Sequence, residues 1–113
     1  LPILDYREGL QLAAGKADLA QDMLAMLIKV LPGDRVLIEK HMSQGDDEAL
    51  LDVVHRLHGA TRYCGVPQLR ECCLQAETLL KQGEKSQMAI SQLIEAIEQV
   101  RAAYHTAEHA PSG

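Results

Sequence analysis

The chain has 113 residues, enough for one domain with a single core, and 47% of it is apolar although it contains no Trp, no Phe and only three Tyr. Such a core is aliphatic, which favours helices over a strand-rich sandwich. A formal net charge of −5 argues against a nucleic-acid or anionic-membrane ligand, since binding phosphates requires a surplus of Lys and Arg.

Leu1 to Leu12 carries Ile3, Leu4, Leu10 and Leu12 behind Pro2, which reads as a short first helix broken at Gly15. Asp18 lies near the start of a second helix, where a carboxylate meets free N–H groups. From there Leu19, Met23, Met26, Leu27, Val30 and Leu31 recur at helical spacing. Pro32 and Gly33 interrupt the pattern before Val36, Leu37, Lys40 and His41 resume it, so either one kinked helix or two short ones is expected. No segment reaches the roughly 18 apolar residues of a membrane helix, because Lys29 already interrupts the best run.

Ser43 to Asp47 is a turn with acidic N-cap residues, so a third helix begins near Asp46 or Asp47. Its apolar stripe is Leu50, Val53, Val54, Leu57, Thr61 and Cys64, and Gly65-Val66-Pro67 ends it. Pro67 opens a fourth helix with the stripe Leu69, Cys72, Cys73, Ala76, Leu79 and Leu80, capped by Gly83. Ser86 begins the last helix, with Ala89, Ile90, Leu93, Ile94, Ile97, Val100, Arg101 and Tyr104 in phase, and the tail from His105 to Gly113 should fray. The fold expected is all-α: an antiparallel four-helix bundle with an additional short N-terminal helix, a domain over 1–108 and a flexible tail over 109–113. The three cysteines, odd in number and clustered, suit neither a disulfide framework nor paired zinc ligands. They read as reduced, partly buried thiols.

On a wheel of about 100° per residue, His55, His58 and Arg62 stand at i, i+3 and i+7 of the third helix, neighbours on one exposed face away from the apolar stripe. Gly59 leaves that face bare beside the first imidazole. A glycine inside a helix costs about 1 kcal/mol relative to alanine, and its position off the stripe favours access to His55 over helix packing as the offset. An exposed imidazole can act as a nucleophile near neutral pH, and His58 with Arg62 would supply positive charge to a phosphoryl group.

His55-Arg56-Leu57-His58-Gly59, followed by Gly65, Leu69 and the helix running to Glu77, resembles the signature of histidine-containing phosphotransfer (HPt) domains. The run His58 to Pro67 looks like the HPt module of hybrid sensor histidine kinases of the BarA/GacS type. The resemblance implies a phosphorelay module that is a phosphohistidine carrier rather than an enzyme. It passes a phosphoryl group through Nε2 of His55 between aspartates of response-regulator receiver domains, with Gly59 giving access. His58 stands where the family usually has lysine and Arg62 where it usually has a small residue, so phosphoryl charge falls to one or both. No cofactor or metal is expected on this chain; Mg²⁺ is expected on the partner receiver, and Leu51 and Arg56 are candidate docking contacts. A cytoplasmic location is implied, and a start at Leu1 rather than Met reads as a module of a longer sensor kinase. Two other readings fit the residues: a metal-binding bundle using His55 and His58 with a cysteine or carboxylate, and a helical adaptor that is never phosphorylated.

Overall fold

The architecture was analysed in a computed structural model that describes residues 1–108. Five helices follow in the order α1 (Tyr6–Leu12), α2 (Ala17–Gln44), α3 (Asp47–Thr61), α4 (Pro67–Lys81) and α5 (Gln87–Glu108), with no strand among the described residues. Helices α2 to α5 form the antiparallel bundle, and α1 closes one end of it, as the hydrophobic periodicity implies.

Local chemistry sets the boundaries. Asp46 accepts a hydrogen bond from the Ala49 N–H to start α3, and Ser86 does the same for Ala89 at the start of α5. Gly45 and Gly83 adopt the left-handed conformation after α2 and α4, at φ of 67° and 77°. Pro67 occupies the first turn of α4, where its missing N–H costs nothing.

Three expectations are corrected. The first helix spans Tyr6–Leu12 rather than the whole N-terminal stretch, because Asp5 caps it through the Glu8 N–H and the Asp5 N–H is taken by the Gly65 carbonyl. The α2 stripe is rotated from the one the spacing suggests: Leu27, Ile28, Leu31 and Ile38 are buried, whereas Leu19, Met26 and Val30 are exposed. The reason is that α2 packs between α3 and α5, so its buried arc is centred between those two neighbours. Helix α5 continues through His105 to Glu108 instead of fraying at His105; the expected flexible tail, 109–113, lies outside the described residues. The choice left open at Pro32 resolves as one continuous helix of 28 residues.

The core runs along the bundle through Leu31, Ile38, Leu50, Val54, Leu57, Leu69, Ile90, Leu93, Ile97 and Val100, all essentially without solvent contact. It is aliphatic throughout. No helix of the described residues is long and apolar enough to cross a membrane. Cys64, Cys72 and Cys73 are free. Burial pushes the Cys64 thiol up to about 11 and raises Cys72 and Cys73 as well, so the three remain thiols near neutral pH.

Candidate functional site

Halfway along α3 the helix turns an imidazole outward. The His55 side chain is 67% exposed, and its Nδ1 lies 3.1 Å from Oε2 of Glu77 on α4. Glu77 itself is buried, at 7% side-chain exposure, and it occupies a position on the inward stripe of α4 four residues after Cys73. Its other oxygen, Oε1, accepts from the Lys81 ammonium at 3.2 Å. Burial pushes the Glu77 carboxyl up, but the hydrogen bonds from His55, Lys81 and His58 together outweigh it and hold it below the usual carboxylate range. The group is therefore an ionised acceptor at neutral pH.

A carboxylate has lone pairs and no hydrogen to give, so His55 Nδ1 must carry the N–H of this contact. In the neutral ring the free lone pair then sits on Nε2, the nitrogen away from the backbone. Glu77 thus fixes both the tautomer and the direction of a solvent-facing nucleophile.

His58 is not where the wheel places it. Rather than sharing an exposed face with His55, it is buried at 7% exposure, with Nδ1 3.4 Å from the same Glu77 Oε2. Helix α4 packs against that flank of α3, and Glu77 reaches across to meet it. Arg62 is exposed at the C-cap of α3, about 10 Å along the axis from His55 by helical rise. Among the described residues its side chain makes no hydrogen bond or ion pair. Gly59 opens the surface beside His55: a Cβ built there meets no heavy atom within 4 Å.

Leu51 is partly buried one turn before His55. Arg56 extends to the other side of α3, where its guanidinium lies 3.1 Å from the buried carboxylate of Asp34 on α2. Glu77, Lys81 and Asp34 escaped the sequence reading. Two of the three had a signal: Glu77 and Asp34 are carboxylates standing on apolar stripes, at Cys73 + 4 and Leu31 + 3, where an unpaired charge would be costly. Among the described residues no group of three or more His, Cys, Asp or Glu side chains is arranged to hold a metal ion.

Comparison with known proteins matches this geometry to a family. The family model of the Hpt domain matches residues 22–103. The chain is 55% identical over 107 residues to the sensor histidine kinase GacS of Pseudomonas protegens, covering 94% of this chain and 12% of that protein. It is 64% identical over 80 residues to the sensor protein GacS of Pseudomonas syringae pv. syringae, covering 71% and 9%. With the signal transduction histidine-protein kinase BarA of Escherichia coli (strain K12) it shares 38% identity over 97 residues, covering 86% and 11%. The chain thus spans roughly a tenth of the length of these curated relatives. Among solved structures, the HPT domain of a sensor hybrid histidine kinase from Shewanella superposes with a TM-score of 0.90 at 31% identity, covering 98% of this chain and 97% of that one. With the family model spanning α2 to α5 and the whole fold matched, the chain belongs to the Hpt domain family.

Proposed function

We propose that this domain carries a phosphoryl group on Nε2 of His55, passing it between receiver-domain aspartates in a phosphorelay, and that it does so as one module of a hybrid sensor histidine kinase. The observation that carries the reading is an exposed imidazole whose Nδ1 is fixed by a buried carboxylate, so that Nε2 faces solvent beside an open glycine.

In the forward step the O–P bond of an aspartyl phosphate breaks as the Nε2 lone pair forms an N–P bond, and the aspartate leaves as a carboxylate. No proton has to move. The phosphorylated ring retains its Nδ1–H and becomes cationic, with the Glu77 carboxylate 3.1 Å away to stabilise it. In the return step the same N–H lets the ring leave as neutral imidazole rather than as an anion. Phosphoryl transfer of this kind depends mainly on positioning and charge compensation. Mg²⁺ and its acidic ligands belong to the receiver; this chain offers Arg62 and Lys81 as cations, with Leu51 on the docking face, while Arg56 is turned toward Asp34 of α2.

The test is incubation with a receiver domain carrying radiolabelled phosphate, with Mg²⁺ present. Label should appear on the wild-type chain as an acid-labile, base-stable phosphoramidate and be absent from His55→Gln. Undiminished labelling of that variant overturns the reading of His55 as the carrier, and absence of label from the wild-type chain leaves a non-phosphorylated adaptor.

A further inference from the structure

Two buried carboxylates meet α3 on the same turn, one from each neighbouring helix. On the α4 flank Glu77 accepts from Nδ1 of His55, and on the α2 flank Asp34 accepts from the guanidinium of Arg56, the very next residue, at 3.1 Å in both cases. Each contact joins positions 22 residues apart, one reaching back to α2 and the other forward to α4. The buried Cys73 lies near both: burial is the main reason its thiol is pushed up, and Cys72, Glu77 and Asp34 add to that. The two carboxylates therefore belong to one layer of the bundle, at the level of His55. We propose that Asp34 and Arg56 are positioning residues for His55: their ion pair fixes the rotation of α3 about its own axis, and so the place at which Nε2 meets an incoming phosphoryl group. The inference rests on the reading of His55 as the phosphoryl carrier, and it adds α2 to a site otherwise built from α3 and α4.

Stability alone does not account for the pair. Asp34 stands on the apolar stripe of α2 between Leu31 and Ile38, both without solvent contact. A buried ion pair in such a place is often no more stabilising than a well-packed aliphatic residue, because charge leaves water to form it. What the pair adds is direction. An apolar contact tolerates some slip between helices, whereas a guanidinium and a carboxylate bond only within a narrow range of distance and angle. Among the described residues Arg56 is the only side chain bonded to Asp34, so the carboxylate is satisfied only while Arg56 stays on that flank of α3.

The helical wheel shows why this matters for Nε2. Arg56 is about 100° from His55 around α3 and is held from α2, while Glu77 approaches from α4. His55 points outward between the two holds. The tie to Glu77 pulls on α3 from one side only; without the hold from α2 the helix can turn, and the bond to Glu77 loosens with it. A side-chain atom about 6 Å from a helix axis moves about 1 Å when the helix turns by about 10°. A misplacement of about 1 Å can cost about 100-fold in the rate of a positioned reaction. Arg56, anchored on Asp34, opposes that turn.

The experiment follows phosphoryl transfer from a receiver domain, with Mg²⁺ present, over a range of receiver concentrations. It compares the wild-type chain with Arg56→Lys, which keeps the cation, and with the double variant Asp34→Leu/Arg56→Met, which removes the pair without stranding a buried charge and so preserves the fold. The double variant should lose about fivefold or more in kcat while KM stays within about twofold, the pattern of a group needed only as transfer occurs. Arg56→Lys should retain most of the wild-type kcat. In parallel, the ring ¹⁵N shifts of neutral, unphosphorylated His55 report the share of the Nδ1–H tautomer, which should fall in the double variant as the bond to Glu77 loosens and stay near the wild-type level in Arg56→Lys. If kcat and the tautomer share are both unchanged in the double variant, the pair merely joins two helices and the proposal is overturned. A rise in KM with kcat unchanged overturns it as well, since Arg56 would then be a docking contact. Labelling of His55→Gln equal to wild type would instead sink the carrier reading, while the tautomer comparison, which needs no phosphate, would still decide whether Asp34 and Arg56 position the ring.

Discussion

Gly59 is under two opposed pressures at one backbone position. Stability favours a side chain there, because glycine within a helix is about 1 kcal/mol less favourable than alanine and a Cβ would meet no atom within 4 Å. Access to His55 favours leaving it bare. Gly59→Ala should therefore stabilise the domain by about 0.5–1 kcal/mol in urea unfolding, and Gly59→Gln, which places a longer chain over the same surface, should slow phosphoryl transfer from a receiver severalfold without loss of helicity. Transfer that proceeds at the wild-type rate in Gly59→Gln would remove access as the reason for this glycine. The same residue shows how much of the site the sequence discloses. Gly59 and His55 were legible because both lie on the solvent face of α3, where one helix wheel suffices. Glu77 was not legible as a partner of His55, since the contact joins positions 22 residues apart and depends on how α4 seats against α3. His58 was misplaced for the same reason: a wheel knows the apolar stripe of its own helix but not which flank a neighbour covers.

At the level of elements, the end of the bundle depends on a backbone contact that allows no side chain. A Cβ on Gly65 would stand 2.0 Å from the Asp5 carbonyl oxygen and 2.8 Å from the Gly9 nitrogen, both backbone atoms that cannot yield cheaply. Around this contact the Asp5 N–H donates to the Gly65 carbonyl at 2.8 Å, and the Gln68 N–H donates to the Pro2 carbonyl at 3.1 Å. Arg70 completes the junction by pairing with Glu8 of α1 and donating to the carbonyls of Thr61 and Cys64 at the end of α3. Gly65→Ala should cost about 1–3 kcal/mol, the range for overpacking, and should accelerate amide exchange at Asp5 and Gly9 while the α3–α4 core stays protected. Unchanged exchange at Asp5 would mean that α1 is not held by this contact. In α2, Pro32 deprives the Ile28 carbonyl of its donor yet the helix runs on, with Pro32 exposed. The cost of an interior proline, about 3 kcal/mol, exceeds the 1 kcal/mol or less that its stiffness gains in the unfolded chain, so Pro32→Ala should raise stability in the same unfolding assay. These elements were largely legible from spacing and caps. The exception is the rotation of the α2 stripe, because a helix packed between two others buries an arc that its own periodicity does not centre.

Across the whole molecule, an excess of acidic groups meets two carboxylates that the fold keeps ionised by different means. Glu98 on α5 accepts from Arg35 of α2 and from Arg101, each at 2.9 Å, and the Arg35 hydrogen bond is the main reason its carboxyl lies below the ordinary range. Those partners are about a third exposed, so solvent screens the interaction and little stability rests on it. Glu77 is buried, and protonating it would weaken the two hydrogen bonds that join α3 to α4 at the site, together with the Lys81 bond within α4. Both groups have folded values below the ordinary 4.5. The stability they contribute is therefore present above the unfolded-chain value and is lost as pH falls through the lower, folded one. Thermal unfolding followed by circular dichroism should accordingly show a midpoint that declines below about pH 4.5. Glu77→Gln should start lower at neutral pH and respond less to acid, because the group whose protonation is penalised is gone. Glu98→Gln should follow the wild-type profile closely at physiological salt. If Glu98→Gln flattened the acid limb as much as Glu77→Gln did, the screened pair between α2 and α5 would be carrying the acid sensitivity, and the buried carboxylate under His55 would be a device for orientation alone.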